Sequence, residues 1–173
     1  MTARAAALLA LSLACGASDG DGGTEQTAAP ILSEPPQVLL GTGEASFEPI
    51  DGEPHLGLVA GVQGGFHVWA SLLAYGFADS RLDMVLETSL DDDPASSMVM
   101  RARLSLRDAV DANGEPVQSF AGFPAQVQDA RCANGKRIQV TVTLSDTTGA
   151  SAQDTRYCIA DVDERQRRED CAE

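Results

Sequence analysis

The stretch MVMRARLSLR, residues 98–107, decides the fold class. Met98, Met100, Ala102, Leu104 and Leu106 alternate with Val99, Arg101, Arg103, Ser105 and Arg107. Successive side chains of a strand point to opposite faces, so this segment has one apolar face and one basic face. A helix, with its period of about 3.6, would spread the same residues around its circumference. The pattern recurs on both sides. Ile138, Val140, Val142 and Leu144 alternate with Gln139, Thr141, Thr143 and Ser145, and Leu82, Met84 and Leu86 alternate with Asp83, Val85 and Glu87. Such alternation belongs to antiparallel sheets with one packed face and one wet face.

Turn chemistry punctuates these runs: DGEP at 51–54, QGG at 63–65, DDDP at 91–94, DANGEP at 111–116, ANGK at 133–136 and DTTG at 146–149. Residues 37–160 therefore read as one all-β domain, an antiparallel β-sandwich of about seven to nine strands. That is enough chain for a single core. Residues 161–173, DVDERQRREDCAE, read as a polar C-terminal tail. Asp83 and Glu87 are expected to face Arg101, Arg103 or Arg107 across two consecutive strands, because both sets project from wet faces. A one-residue slip would turn the arginines inward, so these pairs specify register.

The N-terminus is of another kind. Arg4 precedes an apolar run from Ala5 to Ala14, about half the length needed to span a bilayer, which reads as a signal peptide over residues 1–14. Cys15 follows a small residue in Ser12-Leu13-Ala14-Cys15, and this resembles the bacterial lipobox, in which the cysteine is acylated and becomes the mature N-terminus. The other reading is an ordinary cleaved signal with an incidental cysteine. Gly16 after the lipidated position resembles the sorting signal for the outer membrane. Residues 15–36 are rich in Gly, Asp, Ser, Thr and Pro, and read as the lipidated cysteine followed by a disordered tether about 20 residues long, reaching roughly 25 Å. Gly16-Ala17-Ser18-Asp19-Gly20 matches G-x-S-x-G literally, but a nucleophile elbow needs a strand before it and a helix after it.

The formal net charge is −14, and cleavage before Cys15 would remove Arg4 and no acid. Nucleic-acid binding is excluded as the default, because phosphate contacts need a basic surface. The expected partners are the bilayer, through acylated Cys15, and an envelope protein or glycan.

Gly41-Thr42-Gly43, Phe47, Asp51-Gly52, Gln63-Gly64-Gly65 and His67 lie in GTGEASFEPIDGEPHLGLVAGVQGGFHVWASL, residues 41–72. This segment resembles the opening of a group of uncharacterised bacterial lipoproteins, which implies a lipid-anchored protein with an immunoglobulin-like sandwich and implies no activity. The stretch from Val140 to Cys158 similarly resembles the last hairpin of bacterial immunoglobulin-like domains.

Leu56 to Val62 and Phe66 to Tyr75 both read as strands, with the adjacent glycines of QGG allowing the tight turn between them. Phe66, Val68, Ala70, Leu72 and Ala74 form the apolar face of the second strand. His67, Trp69 and Ser71 form the other. His67 and Trp69 are thus neighbours about 7 Å apart along the strand. They are a candidate binding patch, with the indole as a platform and the imidazole as a donor or ligand. The structural alternative is an imidazole that satisfies a nearby backbone group while Trp69 covers the sheet.

After Cys15 come Cys132, Cys158 and Cys171, with no C-x-x-C spacing. Three single pairings are possible. In an immunoglobulin-like arrangement the last two strands, about 137–145 and 151–159, are neighbours, which brings Cys132 near Cys158 at the Cα separation of about 5.5 Å that a bridge needs. Cys132–Cys158 is the expected disulfide, ahead of either pairing with Cys171. Asp91-Asp92-Asp93 and Asp111 to Glu115 could offer calcium ligands but read as solvated turns. His55, His67, Met84, Met98 and Met100 could suit copper, but the methionines fall on inward faces and read as core. No metal, cofactor or catalytic residue is therefore assigned. The chain is expected to be a non-enzymatic, lipid-anchored protein of the cell envelope, binding or structural in role. The alternative is a small-ligand or metal-binding envelope protein that uses His67 and Trp69.

Overall fold

The alternating runs pair in the register that their patterns require. Leu86 lies opposite both Met100 and Val142, and Met84 lies opposite both Ala102 and Leu144, so the apolar positions of three strands merge into one face. The computed structural model describes residues 35–61, 64–168 and 171; the leader, Cys15, the tether up to residue 34, Val62 and Gln63 lie outside the described residues. Described strands are β1 (Gln37–Thr42), β2 (Glu48–Pro49), β3 (His55–Gly57), β4 (Val59–Ala60), β5 (Phe66–Tyr75), β6 (Arg81–Leu90), β7 (Asp93–Ser105), β8 (Arg107–Val110), β9 (Pro116–Val127), β10 (Arg137–Ser145) and β11 (Ser151–Asp161). They form two sheets. Sheet 1 has the order β2-β1-β5-β9-β8, with β4 also on β5, and sheet 2 has the order β3-β11-β10-β6-β7. Every pairing is antiparallel except β3 on β11.

The two sheets pack as a β-sandwich, as the alternation requires. Leu82, Met84, Leu86, Ile138, Val142 and Leu144 of sheet 2 face Leu40, Val68, Ala70, Leu72, Ala125 and Val127 of sheet 1 in one continuous core. Burying each large aliphatic side chain stabilises by about 1.5–3 kcal/mol. The described strands outnumber the seven to nine expected because β2, β3, β4 and β8 are only two to four residues long. Such short segments carry too little periodicity to be read.

Three expectations change. Leu56 to Val62 is not one strand: β3 adds to sheet 2 and β4 to sheet 1, and the chain crosses between them at buried Leu58, whose N–H donates to Asp161 O at 2.8 Å. The β6–β7 register places Arg103 on Asp83, with two hydrogen bonds of 2.8 Å, as expected. It also places Val99 opposite Glu87, whose carboxylate accepts from Ser97 instead, and Arg107 opens β8 in the other sheet. Asp91 and Asp92 both take left-handed backbone in the β6–β7 turn. Asp91 accepts the Arg137 N–H, and Asp92 pairs with the Arg137 guanidinium.

The cysteine pairing is the third correction. Cys132 bonds to Cys171, with a Cα separation of 5.3 Å, and Cys158 is a free thiol. Cys158 does lie near the expected strand end, but its register partner is Ile138, and both side chains point into the core at 0% exposure. Cys132 ends a 3-10 turn (Ala130–Cys132) outside the sheet and cannot follow it there. The polar tail after residue 160 follows the same bridge. Val162 is fully buried and donates its N–H to Asn134 Oδ1, and Arg168 N–H reaches Arg131 O, which leads the chain to Cys132.

Burial pushes the Cys158 thiol up to about 12. Its thiolate is therefore scarce at neutral pH. Peptide mapping without reductant should give a Cys132–Cys171 crosslink, with Cys158 alkylated only after unfolding. Reducing or replacing the bridge should cost about 3–4 kcal/mol by the chain-entropy model for a loop of this length. A crosslinked peptide containing Cys158 would contradict the assignment.

Candidate functional site

The outer face of β5 presents His67, Trp69, Ser71, Leu73 and Tyr75, and it is not uniformly wet. Ser71 is 0% exposed because residues 43–48 cross over it. That crossing depends on small residues. Thr42 Oγ1 donates to Trp69 O at 2.9 Å, and Ser71 Oγ donates to Gly43 O at 2.6 Å. A methyl group on Gly41 would overlap Glu48 O and the Phe47 ring. Gly122, at φ +77°, sits where β9 bulges opposite Ala70 and Leu72, and a methyl there would overlap Glu44 O. Both the left-handed backbone and the close approach demand glycine. The Gly41-Thr42-Gly43 motif is thus the anchor of a strap across sheet 1.

The strap divides the face. On one side lie His67 and Trp69, the pair expected from the sequence, with ring centroids 4.4 Å apart in an edge-on arrangement. His67 is only 8% exposed, and its Nε2 is buried without a hydrogen-bond partner among the described residues. Burial lowers its pKa, and the nearby Glu44 carboxylate opposes that shift. The imidazole is therefore neutral at pH 7 and packed rather than presented. His55 stands on β3 in the other sheet, at the opposite edge from β7, which carries Met98 and Met100. The described residues contain no group of three His, Cys, Asp or Glu side chains able to hold a metal ion.

On the other side of the strap lies a groove of about 910 Å³. Its floor follows cross-strand register, from Leu39 to Leu73 to Ser119 to Arg107 over β1, β5, β9 and β8. One wall is the strap with Phe47. The other is the β8–β9 turn, with Val110 and Asp111. Leu39 is 37% exposed and Val110 is 69% exposed, so large apolar side chains remain open to solvent. Tyr75 Oη donates to Asp111 Oδ2 at 3.3 Å and braces the floor to that turn. The N–H groups of Glu115 and Asn113 and the Tyr75 hydroxyl hold the Asp111 carboxyl below the usual range, so it stays charged. Tyr75 itself is raised by burial and by Asp111.

A partly apolar floor between fixed walls, with a few polar groups, is suited to holding a ligand or a peptide. Sequence reasoning missed it. The available signal was doubled leucine, in Leu39-Leu40 and Leu72-Leu73, where strict alternation would have placed a polar residue outward. No protein-family model, no curated protein and no solved structure matches the chain.

His67 carries a testable consequence. Its folded-state pKa is lowered, so below about pH 6.5 the unfolded chain binds a proton that the folded chain refuses. Stability should fall as pH drops from about 6.5, over a window that ends at the folded pKa. The His67→Gln variant should lose this component in denaturant titrations at successive pH values. It should also be less stable at pH 7 by about 0.5–1.5 kcal/mol, from the lost edge-on contact with Trp69. An unchanged pH profile would contradict the packed, neutral imidazole.

Proposed function

We propose that the protein is a non-enzymatic, lipid-anchored component of the cell envelope, and that its sandwich domain holds a partner in the groove on sheet 1. The carrying observation is that groove, with large apolar side chains left open between two walls fixed by hydrogen bonds and glycine contacts. Apolar concavities of this size are uncommon on a surface with no binding role. Export is supported by the Cys132–Cys171 bridge, because disulfides persist in oxidising compartments. Anchoring is supported by the N-terminal sequence, with its apolar run, Cys15 and the polar segment after it. An immunoglobulin-like sandwich is supported by strand order. The sequences β1-β5-β9-β8 and β11-β10-β6 correspond in chain order to A-B-E-D and G-F-C of that fold.

The test uses the protein in its own membrane. A photo-crosslinking amino acid at Leu39 should give discrete adducts in intact cells. The same residue at Val99, which is 51% exposed on the other sheet, should give none. Mass spectrometry of the same membrane fraction should find the mature chain beginning at an acylated Cys15. A soluble chain with another N-terminus would overturn the anchor, and equal crosslinking from both positions would overturn the groove.

A further inference from the structure

The groove has a charge signature as well as an apolar floor. Its charged lining residues are Glu44 on the strap, Asp111 on the opposite turn and Arg107 at the β8 end of the floor. Acids thus outnumber the single arginine of the lining, with Asp111 on the far wall and Glu44 on the strap itself, where its carboxylate also acts on His67. Asp111 is fixed there by the Asn113 and Glu115 N–H groups and by Tyr75, and cannot swing away without dismantling its turn. Arg107 is exposed and stands on β8, the last strand of the sheet path. The whole chain, at −14, adds a long-range negative field that attracts cations and repels acids. An acyl chain with a carboxylate head would set its charge against Glu44 or Asp111 at most positions along the strip. An apolar peptide with cations on both flanks would set them toward both walls.

Resting on the reading of the groove as a binding site, we infer that its occupant is a segment of a partner protein in which apolar side chains are flanked by lysine or arginine. Leu39, Leu73 and Val110 receive the apolar side chains, and Glu44 and Asp111 receive the flanking cations. Complementary charge of this kind governs specificity and on-rate, and its contribution falls with salt.

The probes are three synthetic peptides with the same central leucine and valine residues, flanked by lysine, by glutamate or by glutamine. They are titrated by fluorescence anisotropy against the full chain carrying Cys15→Ser. The lysine peptide should bind at least about tenfold more tightly than the glutamate peptide, and should weaken as salt rises from about 50 to about 500 mM. Glu44→Lys should reduce that preference, because it reverses one wall without touching the floor. Leu39→Lys should weaken the lysine and glutamine peptides, and native-like thermal melting of both variants shows that they are folded. Equal binding of the three peptides, abolished by Leu39→Lys, would overturn the cationic partner and leave the groove standing. Binding that ignores Leu39→Lys would overturn the groove itself. Failure of every peptide, with saturable binding of a fatty acid in its place, would overturn the peptide class.

Discussion

The close approach of residues 43–48 to the β5–β9 bulge is the contact on which the functional side of this molecule depends. It works only because Gly41, Gly43 and Gly122 present no side chain where three backbone segments meet. Ser71 then satisfies Gly43 O from beneath, in a site with no access to water. An unmade hydrogen bond there would cost about 1–3 kcal/mol, so the strap is held in one place. The outer face of sheet 1 is thereby partitioned, with a packed histidine and tryptophan on one side and an open trough on the other. An ordinary sandwich would present one continuous wet face here.

The sandwich supplies what that contact needs. The β9 bulge places Gly122: Ala70 and Leu72 of β5 are opposed by Phe123 and Phe120, so residues 121 and 122 stand against Ser71 alone. Bulges of this kind bend a strand and re-aim its neighbours. The other end of the trough is built from local turn chemistry, with Asp111 accepting N–H groups two and four residues on. Asp154 makes a comparable link between the layers: it faces inward beside Val142, accepts the Leu40 N–H at 2.8 Å and pairs with Arg156.

The long strands were legible because alternation is a local signal and the core enforces it. Met84, Leu86, Val142 and Leu144 lie inward for the reason that their spacing implied. The orientation of His67 and Trp69 was legible in the same way, but the burial of His67 was not, because the strap that borders it comes from about 20 residues earlier and leaves no periodic mark. The disulfide was misread since pairing depends on side-chain direction, and a core-facing Cys158 cannot meet a cysteine outside the sheet. The C-terminal tail looked featureless because its anchors, which include buried Val162, the Arg168 N–H and the bonded Cys171, follow no periodic pattern. The groove was written in the doubled leucines, which are visible in the sequence but ambiguous, because a second outward leucine is common on protein surfaces.

The central claim is that the strap is locked to sheet 1 by glycine contacts and so holds the groove at one width. Spin labels at Ala45→Cys on the strap and Ala112→Cys on the facing turn measure that width directly by pulsed dipolar spectroscopy. Cys15→Ser removes the remaining cysteine, while Cys158 is buried and the other two native cysteines are bonded to each other. A locked strap predicts one narrow distance distribution in the parent chain, and a broadened or displaced one in Gly122→Ala, where the methyl group overlaps Glu44 O. A broad distribution in the parent, or an identical one in the variant, would contradict it.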